Sequence, residues 1–340
     1  GIFFQEEVTV GEDLYAAFSM RGDVSSTMGD TEAREWYPKA AVSYQLGEVS
    51  VFDNLKLRGA YGQTGNMPQT KAKYTTLSSS NIGGLNGLVP SSTLGNPDIK
   101  PERTTELEFG ADFSVMGGLA TVEATLYQQS IEDLILLVDE APSSGASNSW
   151  QNGGEMETNG LELALGLNPT SLIDLGGLDW NMHMTYYTNE SEVTNLTVDP
   201  YNYGGFATFL GTYRIEEGWS PTAIVGADYD ADGNHIELGN ENPDFRLSFR
   251  NSLSFGPLSL SFLIDHKEGG HAINLANLIY DLGATTADYE ENGSRTAVLG
   301  GGSTAPYVES TTYTALRDLS LTYFCLLYTS PSPRDRETSR

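Results

Sequence analysis

The sequence predicts an all-β protein: an antiparallel transmembrane β-barrel with tight turns at one end and large loops at the other. Three observations carry that expectation. Apolar and polar residues alternate with a period of two in segment after segment. Short and long connections between those segments alternate strictly. No window approaches the roughly 18 consecutive apolar residues of a membrane-spanning helix, so any crossing must be made by strands, which need only about 9 to 11 tilted residues each.

Composition agrees. Aromatic residues reach 10%, glycine is abundant, and hydrophobic residues make up only 39% of the chain. That is a β-rich profile rather than a helical one. The formal charge of −28 argues against nucleic acid or anionic lipid headgroups as partners, because both would be repelled. The acid excess reads either as a surface adapted to high salt or as loops that collect cations.

Taken in order, the chain opens with GIFFQEEVTV, a short apolar run followed at once by charge, which lacks the layout of a signal peptide. Alternating segments then follow as LYAAFSMR near residue 14, KAAVSYQL near 39 and LKLRGAYG near 55. In TELEFGADFSV, Leu107, Phe109, Ala111, Phe113 and Val115 share one face, and Glu106, Glu108, Asp112 and Ser114 share the other. ATVEATLYQQ, NGLELALGL and DWNMHMTYY continue the pattern near residues 120, 159 and 179. FRLSFRNSLSFGPLSLSFLID is a hairpin turning at Gly256-Pro257, with Arg246 and Arg250 in mid-strand demanding a wet face opposite the apolar one. YTALRDLSLTYF near residue 313 completes a set of about ten strands.

GEVSVFDN, MGG, NPTSLIDLGG and GP are tight turns. The segments at about 62–103, 138–157, 190–243 and 267–311 are long and rich in Gly, Asn, Ser and Asp. Tight periplasmic turns and large extracellular loops are the habit of an outer-membrane barrel, whereas a compact soluble domain seldom carries loops beyond about 15 residues. A secreted β-rich binding module or adhesin would alternate in the same way and stays open at this point.

DYDADGNHIELG is the sharpest local motif. Asp228, Asp230 and Asp232 followed by Gly233 match the first half of a calcium loop of the EF-hand kind, but the twelfth position is Gly239 and Glu237 comes early. The residues support calcium in the loop at 228–237 or a plain acidic hairpin turn; no cofactor is required. His183, His235, His266 and His271 lack paired zinc spacing, and no catalytic set assembles, so an enzyme is not expected. RGD at 21–23 sits where a strand enters a loop, and the sequons at Asn189 and Asn195 carry meaning only in a eukaryotic secretory route. Trp150, Tyr201, Tyr203, Tyr213 and Trp219 lie in the expected extracellular loops, where aromatic faces either pack the loops or stack on ligand.

Five blocks in order and spacing, LKLRGAYGQTGN, NPDIKPERTTELEFGADFSVMGG, LYQQSIEDLILLV, NGGEMETNGLELALGL and YVESTTYTALRDLSLTYF, resemble the C-terminal barrel region of SusC/RagA-type TonB-dependent transporters. The resemblance spans about residues 1–324. It implies a Bacteroidota-like outer membrane, a barrel of about 22 strands filled by an N-terminal plug, a SusD-like surface lipoprotein as lid, energy from the TonB-ExbB-ExbD complex, and import of oligosaccharides or peptides. On that reading residues 1–324 are a partial barrel, with the plug, TonB box and first strands upstream and the last strands downstream.

The final residues, 325–340, break the pattern with the only cysteine, Cys325, and a Ser-Pro-Ser-Pro run. CLLYTSPSPRD resembles, codon by codon, the translation of a transposase adapter used in sequencing libraries, so residues 325–340 are expected to be an artefact without fold. Without Cys325 the rest of the chain holds no cysteine, and redox arguments lapse.

Overall fold

The computed structural model describes residues 1–29, 34–299 and 302–324. The tail at 325–340, and the adapter reading placed on it, lie outside the described residues. One antiparallel sheet of eleven strands dominates, every strand hydrogen-bonded to its neighbours in the sequence of sheet strands. We number them β1 (Ile2–Val10), β2 (Leu14–Asp23), β3 (Glu35–Val49), β4 (Phe52–Asn66), β5 (Glu102–Val115), β6 (Ala120–Glu132), β7 (Glu155–Leu167), β8 (Leu178–Asn195), β9 (Pro243–Phe255), β10 (Leu258–Gly269) and β11 (Tyr313–Tyr323). They run from 9 residues in β1 to 18 in β8, long enough for a tilted membrane crossing.

Ten of these are the alternating segments of the sequence. The additional strand is β1, whose central Gln5-Glu6-Glu7 hides its alternation; it pairs with β2 in unbroken register from Ile2–Gly22 to Val10–Leu14. Short links join β1 to β2, β3 to β4, β5 to β6, β7 to β8 and β9 to β10. The long links, at 24–34, 67–101, 133–154, 196–242 and 270–312, all fall at the opposite end. The first of these, at 24–34, is absent from the long segments picked out in the sequence.

Register sorts side chains between the two faces. Leu57 lies opposite Ala111, Phe109 opposite Leu126, Leu126 opposite Leu161, and Leu260 opposite Leu321, giving one continuous apolar face. Those side chains are left bare: Phe109 is 60% exposed, Leu126 60% and Leu321 72%. A water-soluble sheet would cover such a band, whereas lipid solvates it. Most of the fully buried side chains, Ile224, Val225, Leu278 and Tyr307 among them, sit instead in the long loops, with Val193 at the outer end of β8. The molecule's true core is therefore in the loop cap.

The cap is built from small sheets. Ile135–Asp139 pairs with Asn148–Asn152, which also takes Thr93–Leu94, tying the 67–101 and 133–154 loops together. Tyr201–Tyr203, Thr212–Ile215, Ala223–Val225 and Gly239–Asn240 form a four-stranded sheet within the 196–242 loop. His271–Ile273 pairs with Val308–Ser310 around α1 (Leu275–Leu282), α2 (Ala287–Glu290) and α3 (Ser294–Leu299).

Candidate functional site

The polar face of the sheet carries the chemistry of the wall. Arg58 on β4 reaches across to β5, where its Nε lies 3.1 Å from Asp112 Oδ1, and on to β6, where Nη2 donates to Thr125 Oγ1 at 2.7 Å. Gln129 Nε2 donates to Glu106 Oε2 at 2.8 Å, and Thr158 shares a 2.8 Å hydrogen bond with Ser191. Between them lies an open trough bordered by Arg58, Glu106, Glu108, Tyr127, Glu162 and Asn189. Glycine shapes this face: a Cβ on Gly160 would stand 2.1 Å from the Tyr127 ring, so only glycine lets that ring lie flat across β7.

The wall is divided by charge. Glu106, Glu108, Glu123 and Glu162 stand on β5, β6 and β7. Register places His183 on β8 opposite Arg250 on β9, and Arg246 opposite Lys267 on β10. Asp265 stands among these bases, held by Tyr313 Oη at 2.8 Å and Arg317 Nε at 3.0 Å.

The structure spreads the five loop aromatics over two places. Trp150 is half-buried in the sheet that joins the 67–101 and 133–154 loops, opposite Leu137. Tyr201, Tyr203 and Tyr213 gather in the 196–242 sheet, where the rings of Tyr203 and Tyr213 lie 5.4 Å apart and tilted by 31°. Tyr203 is 41% exposed and donates to the Pro221 carbonyl at 2.9 Å. Tyr213 donates to Glu241, and that carboxylate acceptor pushes the phenol up to about 12. Trp219 is half-buried, and its carbonyl accepts the Val193 N–H at 2.9 Å, fastening the turn to the end of β8.

The three aspartates of the calcium-like motif go to different partners. Asp228 accepts from Ser303 Oγ at 2.6 Å and from the backbone N–H groups of Thr304 at 2.8 Å and Ala305 at 3.2 Å. It is a clasp between the 196–242 and 270–312 loops. Asp230 accepts from the Asp232 and Asn234 N–H groups, each at 2.9 Å, and these bonds, with Asn234 foremost, hold its carboxyl below the usual range. Asp232 is exposed, Tyr229 bridges to His235, and the segment is a hairpin turn. Among the described residues, no group of three or more His, Cys, Asp or Glu side chains is placed to hold a metal ion. RGD is also turned inward on itself, with Arg21 Nε 2.7 Å from Asp23.

One cluster has no signature in the sequence. Asp281 at the end of α1 is fully buried and accepts from Arg295 Nε at 2.9 Å, from Tyr307 Oη at 2.9 Å and from Thr286. The Arg295 guanidinium first, with the Thr286 and Tyr307 hydroxyls, pulls the Asp281 carboxyl down to about 2. Burial first, and then Asp281, pushes Tyr307 up to about 12. Its members are separated by up to 26 positions and meet only because α1, α3 and the turn at Ala305–Tyr307 fold on one another. Next to it, a Cβ on Gly226 would stand 2.2 Å from Thr304 Cβ, so the two loops meet at a glycine.

Comparison with known proteins gives one consistent result. The family described as TonB dependent receptor-like, beta-barrel matches residues 1–324. The chain is 29% identical over 300 residues to TonB-dependent receptor P26 of Formosa agariphila, a match covering 75% of this chain and 30% of that protein. It is 26% identical over 196 residues to TonB-dependent receptor SusC of Bacteroides thetaiotaomicron, covering 53% of this chain and 19% of SusC. Among solved structures, that of the RagAB peptide transporter superposes with a TM-score of 0.77 at 20% identity, over 97% of this chain and 42% of that one. The chain thus spans less than half the length of these relatives.

Proposed function

This chain belongs to the TonB dependent receptor-like β-barrel family, an outer-membrane family, and from that premise we propose that it supplies wall and outer loops to an importer of oligosaccharides or peptides. The observation that carries the reading is the one-sided architecture: a lipid-facing apolar band, a continuous polar face behind it, and every long loop at one end. Membership also replaces the adhesin alternative. The relatives that match this chain carry the names of TonB-dependent receptors.

In this reading β1 and β11 are seams. Among the described residues each is hydrogen-bonded on one side only, and an unpaired edge in lipid costs several kcal/mol per bare backbone group. Energy comes from the TonB-ExbB-ExbD complex, and a SusD-like lipoprotein closes the outer mouth. Likeness to SusC and to the RagAB peptide transporter supports that assignment of partners. Tyr203 and Tyr213 form the platform best placed to stack on cargo, because one is well exposed and both are fixed by hydrogen bonds. Trp150, Tyr201 and Trp219, each half-buried, serve mainly to pack the loops.

The test is uptake by cells carrying the full-length protein with and without TonB. A labelled oligosaccharide or peptide mixture should enter only when both are present. Uptake that continues without TonB, or a full-length protein whose gel mobility does not change on heating, would remove the transporter reading.

A further inference from the structure

The wall holds two arginines that its own hydrogen bonds do not use. Arg246 and Arg250 stand on the polar face of β9, both exposed, and among the described residues neither guanidinium has a hydrogen bond or a close ion pair, Arg246 acting on Asp265 only through its field. This sets them apart from Arg58, Arg103, Arg214, Arg295 and Arg317, each of which is held by a carboxylate. In a chain with a formal charge of −28, guanidinium groups with no carboxylate within ion-pair distance on the polar face of the sheet are a selective feature.

Their surroundings suit an anion. His183 stands opposite Arg250, and Ser248 and Ser252 flank it on the same face of β9. Thr185 and Ser248 are hydrogen-bonded to each other between the two arginines. Lys267 stands opposite Arg246, with Asp265 and Asp244 as the carboxylates of that neighbourhood. Asp265 is already engaged by Tyr313 and Arg317. At about 3.3 Å per residue, the four-residue step from Arg246 to Arg250 separates the guanidinium stems by roughly 13 Å along the strand.

We propose that Arg250, with His183 and Arg246, is a carboxylate-binding track for cargo on the inner wall, and that the imported molecule therefore carries one or more carboxylates. This rests on the reading of the chain as transporter wall and adds the substrate class. The track runs along β9, and so along the passage, while the glutamates of β5, β6 and β7 repel an anion from the other sector of the wall. The acid-rich 196–242 loop at the mouth disfavours dense polyanions, so a sparsely charged acidic oligosaccharide or acidic peptide fits best.

The experiment measures binding to the purified full-length protein in detergent, with three probes: trigalacturonate, its methyl ester, and a triglutamate peptide. The variants are Arg250→Gln, Arg246→Gln, the double variant, and Arg250→Lys; heat-shifted gel mobility confirms that each barrel is intact. The expected result is that trigalacturonate or triglutamate binds, that affinity falls about tenfold for each guanidinium removed, and that the lysine variant keeps part of it. The methyl ester should bind weakly and without regard to the variants. Which acidic probe binds separates a sugar from a peptide source. Failure of both acidic probes to bind, or binding unchanged in the double variant, overturns the proposal. So does an altered proteolysis pattern in the double variant with no probe-specific effect, which would make the arginines contacts for another part of the same protein. TonB-dependent uptake is measured separately, so loss of the track leaves the transporter reading standing.

Discussion

Replacing Asp281 by alanine should unfasten the outer cap while leaving the barrel intact. The side chain is fully buried and serves Arg295, Tyr307 and Thr286 together, so its removal strands a guanidinium and a buried phenol. Breaking a buried pair from one side costs about 3–5 kcal/mol. Linkage gives a similar scale: a carboxyl lowered from an ordinary value near 3.9 to about 2 contributes roughly 2–3 kcal/mol of stability at neutral pH. The group's folded pKa is depressed, so that contribution is complete above the unfolded value and is lost as pH falls towards about 2. Hydrogen exchange on the full-length protein measures this directly. Backbone amides of α1 should open roughly a hundredfold more often at neutral pH in Asp281→Ala, whereas those of β5 and β6 should not change. Protection of α1 equal to the wild type at neutral pH would refute the assignment of Asp281 as the cap's anchor.

Other consequences follow from the same geometry. Gly226→Val sets a side chain against Thr304, and should raise protease sensitivity of the 196–242 and 270–312 loops together, read as paired cleavage products. Asp228→Ala removes the acceptor for Ser303, Thr304 and Ala305 and should do the same through about 1–3 kcal/mol of lost hydrogen bonding; unchanged cleavage in both variants would show that the loops dock by other means. With Asp228 and Asp230 engaged as they are, millimolar calcium should leave the melting temperature of the cap where it is, and a rise abolished by Asp230→Ala would instead reveal an ion in the turn. Tyr203→Ala with Tyr213→Ala should weaken cargo binding about tenfold at unchanged heat-shifted gel mobility.

By itself, the sequence determined the sheet and its two faces. Alternation in TELEFGADFSV or FRLSFRNSLSF is a local property, because successive side chains of a strand point to opposite sides whatever lies beyond it. Connection lengths then fixed which end carries the loops. It failed where alternation is interrupted, as at Gln5-Glu6-Glu7 in β1, and it missed the loop at 24–34. The loop site was legible as composition and not as geometry. The aromatics were correctly placed in loops, yet nothing in their spacing told that Tyr203 and Tyr213 meet while Trp150 sits in a different sheet. The carboxylates at 228, 230 and 232 look convergent in sequence because their spacing fits a calcium loop; in space Asp228 is drawn away by Ser303, Thr304 and Ala305, more than seventy positions on. Tertiary structure alone decided that clasp, the Asp281 anchor and the absence of a close carboxylate partner for Arg246 and Arg250 among the described residues. The reason is physical: a strand's pattern is set by its nearest neighbours, but partners for a buried or exposed charge are chosen by whichever distant segments the fold brings within hydrogen-bonding reach.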